Sequence, residues 1–292
     1  MNFAAIDIGT NSIRLLIAEH NEGELNRLVN KLRTPRLGEG INDGIINSKA
    51  QKRAIGVLKE YQELVDSYQA HYRAVATSAI RDAENKEEFL NKTKEESGIK
   101  IDVINGLEEA ELSYLGITSG LIKQEDNMLA VDIGGGSTEF IFGAIDGIRE
   151  YKSINLGAVR LKESWKDDLE AMRSEAQSQV QEVLTDNKAE MLIGVGGTIT
   201  TLASIDQNLE DYQPHKIQNY RLSFAEIGDI LEQLKELNFA ERKRIVGLAP
   251  DRADIIIPGI IILLEIMKAS NLKRLQVSDF GILEGIIYNN IK

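Results

Sequence analysis

No cysteine occurs among the 292 residues, which excludes disulfides, thiolate zinc sites and a cysteine nucleophile, and suits a reducing compartment. Histidine is nearly as scarce, and His20, His71 and His215 lie too far apart for metal-ligand spacing. Positive charge is in deficit: 34 Lys and Arg stand against 46 Asp and Glu, for a formal charge of −12. That balance argues against nonspecific binding to nucleic-acid duplexes, which needs a basic surface. An acidic chain that handles polyanions must therefore concentrate its cations locally. Long apolar runs are also missing. The longest, residues 255–264, is broken by Pro258 and Gly259 and closed by Glu265, well short of the roughly 20 residues of a membrane span. It predicts a buried helix with a kink, and no membrane partner. Met1 runs straight into a strand pattern with no basic or apolar leader, so the expected location is cytoplasmic.

What the chain does have is a repeat. Residues 6–18, IDIGTNSIRLLIA, return in altered form at residues 131–143, VDIGGGSTEFIFG, at a constant offset of 125. The alignment places Asp7 on Asp132, Gly9 on Gly134, Ser12 on Ser137 and Arg14 on Glu139. Each copy reads as an apolar strand ending in Asp, a turn of small residues, and a second apolar strand. Such a hairpin is suited to phosphate. Glycine allows a tight turn, consecutive N–H groups can converge on an anion, and Thr10, Ser12, Ser137 and Thr138 can add hydroxyl donors. Asp at a strand end is a hard oxygen ligand suited to Mg²⁺, although in a single copy it would as readily bond its own loop. Two copies at domain-sized separation favour the phosphate reading, because turn formation alone does not demand the same Asp, Gly and Ser in register.

Strand and helix patterns alternate through both halves, which implies α/β architecture. In the first half, residues 25–37 read as a strand and turn, followed by a loop with Gly38, Gly40 and Gly44; helices are expected over 49–68, 86–96 and 107–121, and strands over 72–77 and 101–104. The second half repeats the plan, with strands over 151–156, 191–195 and 275–278 and helices over 167–184, 252–269 and from 282. Ser223 and Glu226 form a capping box. The polar stretch 123–127 sets domains at 1–123 and 124–292, with the last helix, about 282–292, a candidate to pack back on the first. Apolar strips on the last helices fit either core or a homodimer interface.

Projected at about 100° per residue, Leu107, Ala110, Tyr114, Ile117 and Leu121 form an inward stripe. Glu109, Ser113, Gly116 and Gly120 fall on another face, a carboxylate heading a strip of very small residues that a second domain or a ligand can approach. Glu108 and Glu111 are explained by the helix dipole, whereas Glu109 is expected to border a cleft. The change from Arg14 to Glu139 between copies suggests a cation for phosphate in one half and a metal ligand in the other, or a pair between them. Arg81 can clamp phosphate in a forked manner. Gly196, Gly197 and Thr198, after a strand and before a helix, form either an anion site at a helix N-terminus or a plain turn.

These residues resemble the exopolyphosphatase and guanosine pentaphosphate phosphatase family, within the actin-like, sugar-kinase and heat-shock-chaperone ATPase superfamily. The resemblance rests on DIGTNSIRLL at 7–16, ATSAIRDAEN at 76–85, GLEEA at 106–110 and DIGGGSTE at 132–139. It continues in GVGGTITTLA at 194–203, HKIQNYRL at 215–222 and DRADIIIPG at 251–259. It implies an α/β fold of two similar actin-like, ribonuclease H-like domains flanking an interdomain cleft. It further implies Glu109 as catalytic base, Asp132 and Glu139 as Mg²⁺ ligands with Asp7 nearby, and phosphate contacts from Gly134, Gly135, Gly136 and Ser137. Asp7, Thr10, Asn11, Ser12, Arg14 and Arg81 would line the opposing wall. Longer family members carry further carboxy-terminal helical domains.

The expected activity is Mg²⁺-dependent release of terminal phosphate from inorganic polyphosphate, other divalent cations being possible substitutes. The alternative substrate is guanosine pentaphosphate. A reading of a different class is a regulatory module that binds nucleotide without hydrolysing it.

Overall fold

The computed structural model describes residues 1–21, 24–39, 44–122, 125–185 and 188–291. The expected boundary at residues 123 and 124, and Gly40 of the expected glycine loop, lie outside the described residues. The chain divides into two compact units, one of Met1–Gly116 with Ile282–Lys292 and one of Ile117–Gly281.

In the first unit an antiparallel meander, β1 (Asn2–Ile8), β2 (Ile13–Asn21) and β3 (Glu24–Arg33), is followed by α1 (Ser48–Ser67). Next come β4 (His71–Ala76), α2 (Ser78–Arg81), α3 (Lys86–Ser97), β5 (Ile101–Val103) and α4 (Gly106–Ser119). The sheet order is β3-β2-β1-β4-β5, with β1, β4 and β5 parallel. Its central strand is apolar on both faces, which requires cover on both. Ala4, Ile6 and Ile8 point into a core with Leu58, Tyr61 and Phe89 of α1 and α3. Ala5, between them in sequence, points the other way with Leu16 and Val75. Period-two alternation thus divides one strand between two cores.

The second unit repeats the plan with β6 (Met128–Ile133), β7 (Thr138–Ala144), β8 (Gly147–Ile154), α5 (Ala158–Trp165), α6 (Leu169–Val183), β9 (Met191–Val195) and α7 (Gly197–Asp206). Then follow α8 (Pro214–Ile217), β10 (Arg221–Ser223), α9 (Phe224–Lys235), α10 (Phe239–Arg242), α11 (Ile256–Ser270) and β11 (Arg274–Val277). Its sheet, β10-β11-β9-β6-β7-β8, is the first sheet's order with one added edge strand. The predicted capping box at Ser223 and Glu226 starts α9. The duplication reaches atomic detail. Gly9 N–H donates to Ser12 O at 3.0 Å and Gly134 N–H to Ser137 O at 2.9 Å. A register shift falls between Ile17 and Ala18 in one sheet and between Phe142 and Gly143 in the other, again 125 residues apart.

The chain ends in α12 (Ile282–Ile291), which belongs to the first unit. Ile282, Leu283, Ile286 and Ile287 cover the sheet face carrying Ala5, Leu16 and Val75. Glu284 accepts from Arg27 Nη2 of β3 at 2.7 Å, both side chains being largely buried. A Cβ on Gly285 would lie 1.7 Å from Leu112 O and 3.1 Å from Gly116 N, so α4 and α12 meet backbone to backbone. Within this unit, the small-residue strip of α4 is therefore answered by a helix at Gly116.

Three sequence expectations need correction. Leu107, expected inside, is 54% exposed, because it lies in the first turn of α4; Leu112 is buried instead, under α12. Leu121 falls beyond the helix. Pro258 sits in the first turn of α11, where a missing N–H costs no helical bond, so the expected kink loses its cause. The apolar residues of α11 and of α12 as far as Ile287 are core, which removes the strip that stood open to a homodimer. No helix among the described residues is long and apolar enough to cross a membrane.

Gly285→Ala should force α12 off α4 and destabilise the protein by about 1–3 kcal/mol. A lower urea midpoint with unchanged slope is the expected readout.

Candidate functional site

Both hairpin turns lie at the carboxyl ends of the parallel strands of their sheets, where open α/β folds bind ligands. In the second unit the turn is held from one side. Gly134 O accepts from Ala158 N–H at 2.9 Å, Gly135 O from the N–H groups of Val159 and Arg160 at 2.9 and 3.0 Å, and Gly136 O from Arg160 Nε at 2.9 Å. There are no cis peptides among the described residues, so each N–H of the turn points opposite the carbonyl of its own peptide plane. The amides of Gly135, Gly136 and Ser137 are thereby turned away from α5, forming a concavity of N–H groups for an anion. Gly157 permits the approach: a Cβ there would lie 2.4 Å from the Gly135 carbonyl.

The first unit uses the same device. Thr10 O accepts from Gly38 N–H at 2.8 Å and Asn11 O from Arg36 N–H at 3.0 Å, which directs the amides of Asn11 and Ser12 outward. A Cβ on Gly38 would come within 2.3 Å of the Thr10 side chain. Thr10 and Asn11 are exposed and Ser12 half-buried.

The two strand-end aspartates have opposite surroundings. Asp7 is directly opposite Arg14, which donates to Asp7 Oδ2 from Nε at 2.9 Å and Nη2 at 2.6 Å. Asp7 is 6% exposed and its Oδ2 is taken up by the Arg14 guanidinium. In the same register Asp132 faces Glu139. Glu139 Oε1 accepts from Ser137 Oγ at 2.6 Å and Ser153 Oγ at 3.1 Å. Burial, and then the neighbouring Asp132 charge, push the Glu139 carboxyl up to about 7. Asp132 Oδ1 lies 2.4 Å from where a Cβ on Gly196 would sit, and Gly196 has φ of 87°. Glycine is required there on both counts.

Glu109 and Arg81 come together in the first unit. Asn105 Oδ1 caps α4 by accepting from Glu108 N–H at 2.9 Å, setting the first turn that carries Glu109. Arg81 ends α2 just beyond β4, and its Nη1 lies 3.9 Å from Glu109 Oε2. That nitrogen is buried without a hydrogen-bond partner among the described residues. Glu108 is instead ion-paired with Arg73 at 2.8 Å, and Glu111 is exposed.

Two expected hydroxyl donors are occupied elsewhere. Thr138 is fully buried and its Oγ1 donates to Leu156 O at 2.5 Å. Thr198 is 4% exposed and packs on α11, where a Cβ on Gly259 would lie 2.5 Å from its Oγ1. Gly197 lies under the Arg252 guanidinium, whose Nη1 would be 1.9 Å from an added Cβ. Arg252, Arg160, Ser153 and Gly157 were not singled out from sequence. Ser153 becomes visible only in the register, where it stands opposite Glu139, and Arg252 only through its place over Gly197.

The Ppx/GppA phosphatase family matches residues 16–292. The bifunctional 3-dehydroquinate synthase/phosphatase of Fusobacterium nucleatum is 36% identical over 99% of this chain, which spans 46% of that protein's length. Exopolyphosphatase 2 of Mycobacterium tuberculosis is 32% identical over 97% of this chain and 96% of its own. Among solved structures, the Aquifex aeolicus Ppx/GppA family member superposes with a TM-score of 0.91 at 33% identity, covering 100% of this chain and 97% of that one. An exopolyphosphatase from Cytophaga hutchinsonii gives 0.87 at 30% identity, covering 100% and 98%. The fold is thus the two-domain, actin-like α/β architecture, and its class of chemistry is phosphoanhydride hydrolysis. The chain belongs to the Ppx/GppA phosphatase family.

A raised carboxyl pKa means the folded state keeps a proton that the unfolded chain releases. The stability this proton gives is present below the ordinary value of 4.5 and is lost as pH rises to about 7. Urea titrations should therefore find Glu139→Gln more stable than the parent at pH 8, with the gap closing toward pH 5.

Proposed function

We propose that the protein is a divalent-cation-dependent exopolyphosphatase that releases the terminal phosphate of inorganic polyphosphate by in-line attack of water. The observation that carries this reading is the turn whose carbonyls are all bonded to α5 and whose Gly135, Gly136 and Ser137 amides face away. An N–H concavity of this kind takes phosphoryl oxygens without needing a recognised base or sugar. The exopolyphosphatase relatives support polyphosphate as the substrate.

Asp132 and Glu139 fit a divalent cation: they are adjacent carboxylates, and among the described residues no Lys, Arg or His pairs with Glu139. No group of three or more His, Cys, Asp or Glu that could hold a metal occurs among the described residues, and Mg²⁺ needs only one or two carboxylates beside water and phosphate. The cation, when bound, supplies positive charge to the phosphoryl oxygens. Ser137 and Ser153 occupy Glu139 Oε1 and so fix which oxygen is left available.

Glu109 accepts the proton of the attacking water as the new O–P bond forms and the bond to the bridging oxygen breaks. Arg81 offsets negative charge on the transferring group.

Phosphate release by the purified protein with Mg²⁺ should be greater from polyphosphate than from guanosine pentaphosphate or ATP. Preference for guanosine pentaphosphate would overturn the substrate assignment. Glu109→Gln should lower kcat by about 10²- to 10⁴-fold while leaving inorganic phosphate binding intact; full activity in that variant would remove Glu109 as base. Proton and cation compete for the Asp132 and Glu139 pair, so Mg²⁺ affinity measured by calorimetry should rise as pH increases through about 7.

A further inference from the structure

The small-residue strip of α4 continues past Gly116. The helix leaves the first unit there, its residues 117–119 belong to the second unit, and Gly120 follows its last turn. The chain returns to the first unit after Gly281. Gln218 bonds both crossings with one amide. Its Nε2 donates to Gly120 O at 2.7 Å, and its Oε1 accepts from the N–H groups of Asp279 and Phe280 at 2.7 and 3.3 Å. A Cβ on Gly120 would lie 2.7 Å from that Nε2 and 2.8 Å from the Phe280 ring, so the lack of a side chain at Gly120 is what admits both. Asn219 adds a second bond to Gly120 O at 2.9 Å. It is itself fixed to β11, its N–H donating to Val277 O at 2.9 Å and its Oδ1 accepting from Gln276 Nε2 at 2.8 Å. Its φ of 64° is one that Asn adopts more readily than most residues. The segment HKIQNYRL at 215–222 is therefore a clasp on the carboxyl end of α4.

The same helix carries Glu109 in its first turn, and from there to Ser119 it runs about 15 Å at about 1.5 Å per residue. A tilt of about 4° at the clasped end moves the carboxylate by about 1 Å, and a displacement of that size costs up to about 10²-fold in rate. We infer that Gln218 is a positioning residue for Glu109, acting through α4: it ties the carboxyl end of the helix to the returning chain and so fixes the direction in which the helix presents its base. This rests on Glu109 being the base, as proposed above. Gly120 O only accepts and Asp279 N–H only donates, so one orientation of the Gln218 amide serves both, and a side chain lacking either function releases one crossing.

The test is a double-mutant cycle read in the kinetics of polyphosphate hydrolysis. Gln218→Met keeps the length of the side chain and loses both bonds. In the parent it should lower kcat by about 10- to 100-fold, with KM and the calorimetric affinity for inorganic phosphate within about twofold. In the Glu109→Gln background the same substitution should change the residual kcat by less than about twofold, because no base is left to misplace. An unchanged kcat, a loss carried by KM, or an equal loss in both backgrounds overturns the inference, the last making Gln218 a support for the fold alone. Full activity of Glu109→Gln by itself overturns the base instead, whatever Gln218→Met does. Should Gln218→Met not fold by circular dichroism, Gln218→Glu carries the test: it keeps the acceptor for Asp279 and Phe280 N–H, loses the donor to Gly120 O, and should lower kcat by about 3- to 10-fold in the parent and not in Glu109→Gln.

Discussion

Two carboxylates directly opposite one another on neighbouring strands repel, and the second half of this protein is arranged around that repulsion. In the first half the corresponding position pairs Asp7 with Arg14 and is electrostatically closed. In the second, Asp132 faces a half-buried Glu139 that is held by two serine hydroxyls. Like charges across an antiparallel pair cost stability, so the arrangement is one that a fold alone would not select. One copy of the hairpin ended as a neutral strut. The other placed two carboxylates in register, a pair that a proton or a cation can bridge.

The turns themselves share a simpler constraint. An anion concavity needs several N–H groups pointing one way, and their carbonyls then need partners on the other side. α5 and Arg160 provide these in one unit, the Arg36–Gly38 backbone in the other. The glycines of this region follow from that arrangement. Gly38 and Gly157 let the supporting segment approach the turn, while Gly196 and Gly197 leave room for Asp132 and Arg252. Their lack of a side chain serves close contact more than flexibility.

The duplication was legible because hairpins preserve sequence register: a constant offset between Asp7 and Asp132 became identical turn hydrogen bonds and identically placed register shifts. Glu109, Arg81 and the glycine turn were legible as residue types. Their partners were not. That Thr138 bonds a strand-end carbonyl and Thr198 fills the space over Gly259 depends on contacts with residues 18 and 61 positions away, and no local pattern encodes these. The inward face of α4 was misread at Leu107 for a related reason, since helical projection assumes a full turn on either side of every residue.

The first unit is discontinuous in the chain: the helix that covers one face of its sheet, Ile282–Ile291, follows the whole of the second unit in sequence. The second unit, Ile117–Gly281, is uninterrupted. On the ribosome the usual order, in which amino-terminal domains fold first, is therefore reversed. The second unit can complete its core while translation continues, whereas the face bearing Ala5, Leu16 and Val75 waits for α12 to leave the exit tunnel. A chain cut short by even that one helix would carry an intact second unit beside an exposed apolar sheet, the kind of surface that chaperones and proteases recognise.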